Sequence, residues 1–569
     1  MLLRNLFMPR LAATAVVIWA TAGIAAQVLE IPQTWTLQDT TSNRSRESRE
    51  TLAVNAAMAL NVGQIDPSQF PPPLWIPDVQ YISNLFAGLA MQDHYTGNDT
   101  WFNPVTKVMQ SFNRNFGLYG VPGSTGFTGD ANHWALAFYY AYRTYNQSFL
   151  LETAIQIYNQ TNATCFVTPS AAAGGTGVGR NVSFTRPSNC TSGTYAGAVF
   201  SSNGSPDHTD VCAECVGPFL TLSAYLYEET NNSAYLEAAQ LSADFMIQYM
   251  WNGTIVYDTF DLSSCSWYPN PLTLNQAGFI EGLAVLANVT KNNTLTALLY
   301  DVVSNVTTFP VWSLDGSPVI QGQSASFESN PDLAHHWQSN LKGTLIRALA
   351  EARMRNPGTD LAHYIEAYIT IQFNALLSQA QGLTPNATNW YSSSWTGSHA
   401  TAFSSAGSIA AVDVLNAAID FVSPTGSDKT RLLHAGAVAG GVVSGVAAIA
   451  VAIVFLLWRR RRKNAPCNDL PMAISATTRP GVRDTTGAVE PFVLSSSAGQ
   501  PSKWENFYAP SGSGRARAMP PVTRGHIQST VAPAGESEGL TELPSLVERL
   551  YNMLHGQQLR EPPPPAYGH

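Results

Sequence analysis

Charge is scarce in this chain. Only 12% of its 569 residues are Asp, Glu, Lys or Arg, and the acids outnumber the bases by 39 to 30. The shortage of positive charge is local: residues 27–434 hold 30 acidic and 15 basic side chains, a net charge of −15. Such a surface repels phosphate backbones and anionic lipid, which excludes a nucleic-acid binder and leaves neutral polymers as partners. Cysteine is also sparse, with six in all. Cys165, Cys190, Cys212, Cys215 and Cys265 precede residue 435, and their odd number excludes complete pairing. In an oxidising compartment five cysteines make two disulfides and one leftover thiol, with the connectivity open.

Long uncharged runs are missing except at two places. Residues 1–25 carry Arg4 and Arg10, then an apolar run and small residues, the order of a secretory signal. Residues 435–458 are 24 in number and hold no charge. At about 1.5 Å per residue they reach roughly 36 Å, enough to cross a bilayer. The basic block 459–463 follows at once and belongs on the cytoplasmic side. Fourteen Asn-x-Ser/Thr sequons precede this span and none follows it, which predicts N-glycosylation of the outer part. The expectation is a single-pass, type I plasma-membrane protein with an extracellular segment 26–425. Gly436, Gly440, Gly441 and Gly445 offer small surfaces through which two spans could pair weakly.

Within the outer segment one pattern recurs: an apolar helical stretch, a short polar break and a second helical stretch. It appears at 81–112, 134–158, 219–250, 277–303 and 341–377. Phe219, Leu222, Leu226 and Tyr227 illustrate the i, i+3, i+4, i+7 spacing of an amphipathic helix. Further helices near 52–62 and 400–422 bring the count to about six hairpins. Hairpins with unburied faces stack on one another, and six of them suit a closed ring. The predicted fold is therefore an all-α barrel of paired helices.

Two stretches break the pattern. Residues 164–210, rich in Gly, Ser and Thr, form an insertion expected to rise over one end of the barrel. Residues 386–397 gather Trp390, Tyr391 and Trp395, whose ring faces suit the CH-rich faces of sugars. After the span, residues 459–569 are rich in Ser, Pro, Gly and Thr and are expected to be disordered. Their end contains Pro564, Pro565 and Tyr567 in a Pro-Pro-x-Tyr motif, an extended segment that fits WW domains.

The chemistry concentrates at Gly126–Asp130, a glycine-punctuated turn that opens onto a strongly apolar helix. Asp130 is placed to cap that helix or to serve as a catalytic carboxyl at a cavity mouth. Asp207, His208, Asp210, Cys212 and Cys215 form a cluster with zinc-ligand types, for which a disulfide role of the cysteines, with partners open, is the favoured reading.

Gly129-Asp130-Ala131-Asn132-His133-Trp134-Ala135-Leu136-Ala137 resembles the central motif of glycoside hydrolase family 76, which reads Asp-Asp, a few residues, then Trp-Trp. Thr273-Leu274-Asn275-Gln276-Ala277-Gly278 and Gln338-Ser339-Asn340-Leu341-Lys342-Gly343 are similar to two later elements of that family, in the right order. The resemblance spans residues 52–422. It implies an (α/α)6 barrel and an α-1,6-mannanase-like glycosidase or transglycosidase acting on a mannan-type polysaccharide, with no cofactor or metal. Asp130 becomes the acid/base, and His133, Trp134, Asn275, Gln276, Trp390 and Trp395 become sugar-contacting residues.

The departure is at Gly129, where the family places the other aspartate. A retaining glycosidase needs two carboxyl groups roughly 5 Å apart, and glycine supplies none. Asp207, Asp210, Glu214, Asp258 and Asp261 are the replacements within reach in sequence. The alternative is a carbohydrate-binding wall sensor that no longer turns substrate over. His133, one turn after Asp130, is also placed to share a proton with it.

Overall fold

The computed structural model describes residues 29–64, 79–116, 126–190, 193–312, 317–321, 341–397 and 399–422. In chain order the helices are α1 (Arg46–Ala59), α2 (Val79–Thr96), α3 (Phe102–Phe116), α4 (Thr128–Tyr145), α5 (Ser148–Thr164), α6 (Pro169–Gly174), α7 (Ala213–Thr230) and α8 (Ser233–Phe245). They continue with α9 (Thr273–Thr290), α10 (Asn293–Thr307), α11 (Gly343–Arg355), α12 (Asp360–Ala375) and α13 (Ser405–Ile419). The predicted signal peptide, membrane span and tail, including Pro564, Pro565 and Tyr567, lie outside the described residues. Among the described residues no helix is long and apolar enough to cross a membrane.

The polar breaks predicted between paired helices are tight reversals. Asn146, Asn231 and Lys291 end α4, α7 and α9 in the left-handed conformation, with φ of 52°, 58° and 52°. Asparagine tolerates that region because its short polar side chain bonds locally. Asn232 then accepts from the Ala234 N–H to start α8, and Asn292 accepts from Thr294 and Leu295 to start α10. One residue closes the first helix and its neighbour opens the next, so each pair runs antiparallel.

Burial separates two layers. From Thr273 to Ala287 every residue of α9 is buried, as is every residue of α13 from Ala406 to Ile419. Helix α5 instead buries one stripe: Leu150, Thr153, Ala154, Ile157, Tyr158 and Thr161. A helix apolar all round belongs inside, and a striped one belongs outside. The inner helices α2, α4, α7, α9, α11 and α13 each pack on the next, and α13 packs back on α2. The ring is closed. Helices α1, α3, α5, α8, α10 and α12 form the outer layer, with α1 seated on α13. Trp35, ahead of α1, lies against Tyr364 and Tyr368 of α12 with ring centres 4.9 and 5.4 Å away.

At one level the interior of the ring is filled by a polar network. The hydroxyls of Tyr140 (α4) and Tyr225 (α7) both donate to Glu281 (α9), at 2.5 and 2.7 Å. Arg347 (α11) reaches Asp413 (α13) and Asn84 (α2). Nearer the inner-helix C-termini, Glu351 accepts from Arg143 at 2.9 Å and from Arg355 at 2.8 Å.

The insertion is ordered where described. It carries α6 and antiparallel bridges from Phe127 to Ser202 and from Phe166 to Val199. A three-stranded antiparallel sheet, not anticipated for an all-α chain, joins β1 (Asp210–Cys212), β2 (Thr259–Asp261) and β3 (Ser266–Tyr268) in that order. Two disulfides form, Cys190–Cys265 and Cys212–Cys215, and Cys165 is a buried free thiol. The first ties the insertion to the loop before α9 across 75 residues, a closure that stabilises by roughly 4 kcal/mol in the chain-entropy description.

Candidate active site

Because inner and outer helices alternate, all inner helices run the same way and their N-termini gather at one end of the ring. The motif around Asp130 stands there. Helix α4 starts at Thr128, with Phe127 as its N-cap and no side-chain cap bond. Asp130 is thus the third helical residue, not the cap that its place before the apolar run suggested. The start of α4 is held by the insertion, through the Thr128 N–H to Ser201 carbonyl bond of 2.8 Å.

Helical spacing assigns the faces. Residues three, four and seven apart share one side. Tyr140 and His133, seven apart, both have Arg347 as a neighbour and so face the ring interior. Gly129 lies four before His133 and Asp130 three before it, so these two flank the interior line. Asn132 points sideways, donating to the Cys215 carbonyl of α7 and accepting from Thr161 of α5. Trp134 turns to the other side, its ring centre 6.5 Å from Phe86 of α2.

The predicted sugar contacts divide. Burial, and then the Arg347 charge, hold the His133 imidazole down at about 3, which favours its neutral form. Its Nε2 is buried and has no hydrogen-bond partner among the described residues. Asn275, at the start of α9, donates to the Asp258 carboxylate at 2.8 Å and leaves its own buried Oδ1 without a partner there.

The remaining four sit differently. Gln276 is spent on the backbone, accepting from the Val256 N–H and donating to the Val256 and Leu272 carbonyls. Trp134 is 2% exposed and packs in the core. Trp395 is fully buried, with the Lys342 ammonium 4.0 Å from its ring centre, so that face is not offered to a sugar. Trp390 is half-buried and edge-on to Phe403. The aromatic cluster packs the loop ahead of α13 because Lys342 also donates to the Ser393 carbonyl and closes it down.

The acids proposed from sequence also separate. Asp207 is exposed. Burial pushes Asp210 up, helped by Asp261. Asp261 is lowered, because hydrogen bonds from Ser264, Thr209 and Ser263 outweigh its own burial. Asp258 is pushed up by burial to about 6, against hydrogen bonds from Asn275 and Asn270. Glu214 is not a solvated loop charge. It is the second residue of α7 and is only 2% exposed. Cys212 and Cys215 pair with each other, which removes them as metal ligands, and no metal-binding group gathers among the described residues.

The profile of Glycosyl hydrolase family 76 matches residues 205–421. This is a family-76-like chain. Three solved structures share its fold. Dfg5 from Chaetomium thermophilum, in complex with glucosamine, is 16% identical with a TM-score of 0.51 and aligns over 68% of this chain and 94% of that one. The GH76A α-1,6-mannanase from Salegentibacter sp. HEL1_6 is 15% identical, TM-score 0.50, over 65% and 98%. An inactive variant of the same mannanase, with two adjacent aspartates replaced by asparagine and α-1,6-mannotriose bound, is 14% identical, TM-score 0.50, over 65% and 99%. No curated protein matches the chain. The profile match begins after α4, so the family-76-like region recognised by sequence excludes Gly129 and Asp130, where the motif departs.

Proposed function

We propose that this chain is a glycoside hydrolase acting on α-linked mannan, as glycosidase or transglycosidase, with Asp130 as its acid/base. The observation that carries the reading is the position of Asp130. It is a half-buried carboxyl at the N-terminal end of an inner helix, flanking the interior of an (α/α)6 ring. The mannotriose held by one structural relative supports mannan as the polymer. His133 Nε2 and the Asn275 Oδ1 are buried polar atoms at the same end, suited to sugar hydroxyls. The test is release of reducing ends from α-1,6-mannan by the purified chain, with loss in Asp130→Asn. Absence of turnover between pH 4 and pH 7 overturns it.

Gly129 favours a second reading, a wall-sensing protein that binds mannan without cleaving it. Binding of α-1,6-mannotriose with no product over long incubation distinguishes the two. The sequence supports the same setting for both: an outward-facing domain anchored by residues 435–458 at the cell surface, with the tail read by WW domains. Tyr567→Ala abolishes capture by WW-domain proteins on this reading, and unchanged capture refutes it.

A further inference from the structure

A side chain at position 129 would be crowded by its neighbours. A Cβ built on it would stand 2.6 Å from Cε1 and 2.9 Å from Cζ of Phe127, and 3.3 Å from Cγ of Glu214. The Phe127 contact alone would force a shift, and the third puts a carboxyl-bearing side chain where an aspartate at 129 would begin. Glu214 arrives from α7, the next inner helix, at the same end of the ring. It also faces the right way. Glu214 and Tyr225 are eleven residues apart, three turns at 3.6 residues per turn, and Tyr225 donates to Glu281 inside the ring. Hence α4 carries no carboxyl at position 129, and the side chain of Glu214, brought by α7, lies against that position.

We propose that Glu214 is the nucleophile of the site and that Asp130 is its acid/base partner, a role that rests on the glycosidase reading above. In the first step a Glu214 carboxylate oxygen bonds to the anomeric carbon. The glycosidic C–O bond breaks, its electron pair goes to the leaving oxygen, and that oxygen takes the Asp130 proton. In the second step water attacks the anomeric carbon, gives its proton to Asp130, and the Glu214 carboxylate departs. The configuration is retained. Among the other acids, Asp258 stands on a loop rather than an inner helix, with Asn275 donating to its carboxylate. The His133 Nε2, without a partner among the described residues and one turn below Gly129 on the same face, marks the ligand side of this end independently of either carboxyl.

The test uses the purified full chain and a slow fluorinated α-mannosyl donor. Mass spectrometry of the digested wild type is expected to find the mannosyl label on the peptide containing Glu214. Glu214→Gln is expected to lose about 10³-fold in kcat while binding α-1,6-mannotriose as tightly as wild type. Glu214→Ala is expected to regain turnover of an aryl α-mannoside in azide, yielding the mannosyl azide of opposite configuration. A label on another residue, or full activity in Glu214→Gln, overturns the role of Glu214 while leaving the glycosidase reading intact. Wild type that neither cleaves mannan nor takes up label overturns that reading and this role together. The labelling needs no variant, so it decides the matter even where a substitution fails to fold.

Discussion

Arg347 and Asp413 pair at 3.2 Å inside the ring, each less than a tenth exposed, and the same guanidinium reaches the Asn84 side-chain oxygen at 2.6 Å. One cation therefore joins α11, α13 and α2, the last of which closes the circle. Replacing Arg347 by Met leaves Asp413 buried without its charge partner, a change that costs about 3–5 kcal/mol. The urea midpoint of Arg347→Met is expected to fall accordingly. Adding Asp413→Asn should recover part of the loss, because the uncompensated charge goes with it. Equal midpoints for the single variant and wild type contradict this.

Acid should attack the ring through Glu351. Burial alone would raise this carboxyl, but Arg143 and Arg355 hold it down at about 2. A group whose folded pKa lies below its unfolded value stabilises above the unfolded value, near 4.3, and that stabilisation is lost as pH falls through the folded one. Unfolding monitored by circular dichroism should therefore show stability declining between about pH 4 and pH 2. Glu351→Gln is expected to be less stable at pH 7 and to show a shallower decline across that window.

Helices α7 and α9 touch backbone to backbone. A Cβ on Gly278 would lie 2.7 Å from the Gly217 carbonyl carbon and 2.9 Å from the Pro218 nitrogen. No flexible side-chain tip is there to yield, so Gly278→Ala must push the two helices apart, at about 1–3 kcal/mol. Since Glu214 begins α7 and Asn275 begins α9, the same variant should lose affinity for α-1,6-mannotriose. A lowered melting temperature with unchanged affinity would separate the packing from the site.

Four of the sequons sit on the reversals from inner to outer helix: Asn98, Asn146, Asn231 and Asn292, all exposed. Those reversals are at the inner-helix C-termini, the end opposite Asp130. Glycans attached there would leave the candidate site uncovered. A variant with Asn98 and Asn292 changed to Gln, and Asn146 and Asn231 changed to Gly to suit the left-handed backbone, is expected to lose glycan mass while binding mannotriose unchanged. Weakened binding in the folded variant would place those glycans near the site.

Much of the fold was legible because helical hairpins are local objects. Spacing at i, i+3 and i+4 fixes a helix, and Asn231-Asn232 or Lys291-Asn292 fixes a reversal, within a few residues. The sheet escaped notice because each strand has three residues and β1 pairs with β2 across about fifty residues of chain, leaving no periodicity to read. Trp395 read as a sugar platform because sequence shows an aromatic ring but not the Lys342 ammonium laid over it.

By itself the sequence determined the pairing of most of the described ring helices into hairpins, the acidity of residues 27–434, and the absence of a carboxyl at position 129. Local spacing and composition are properties of neighbours along the chain, and they need no folding to be read. Only the tertiary structure decided which acid stands beside Gly129, because Glu214 is 85 residues away and reaches it through the packing of α7 on α4. The physical reason is that side chains from different inner helices meet only once the ring has closed.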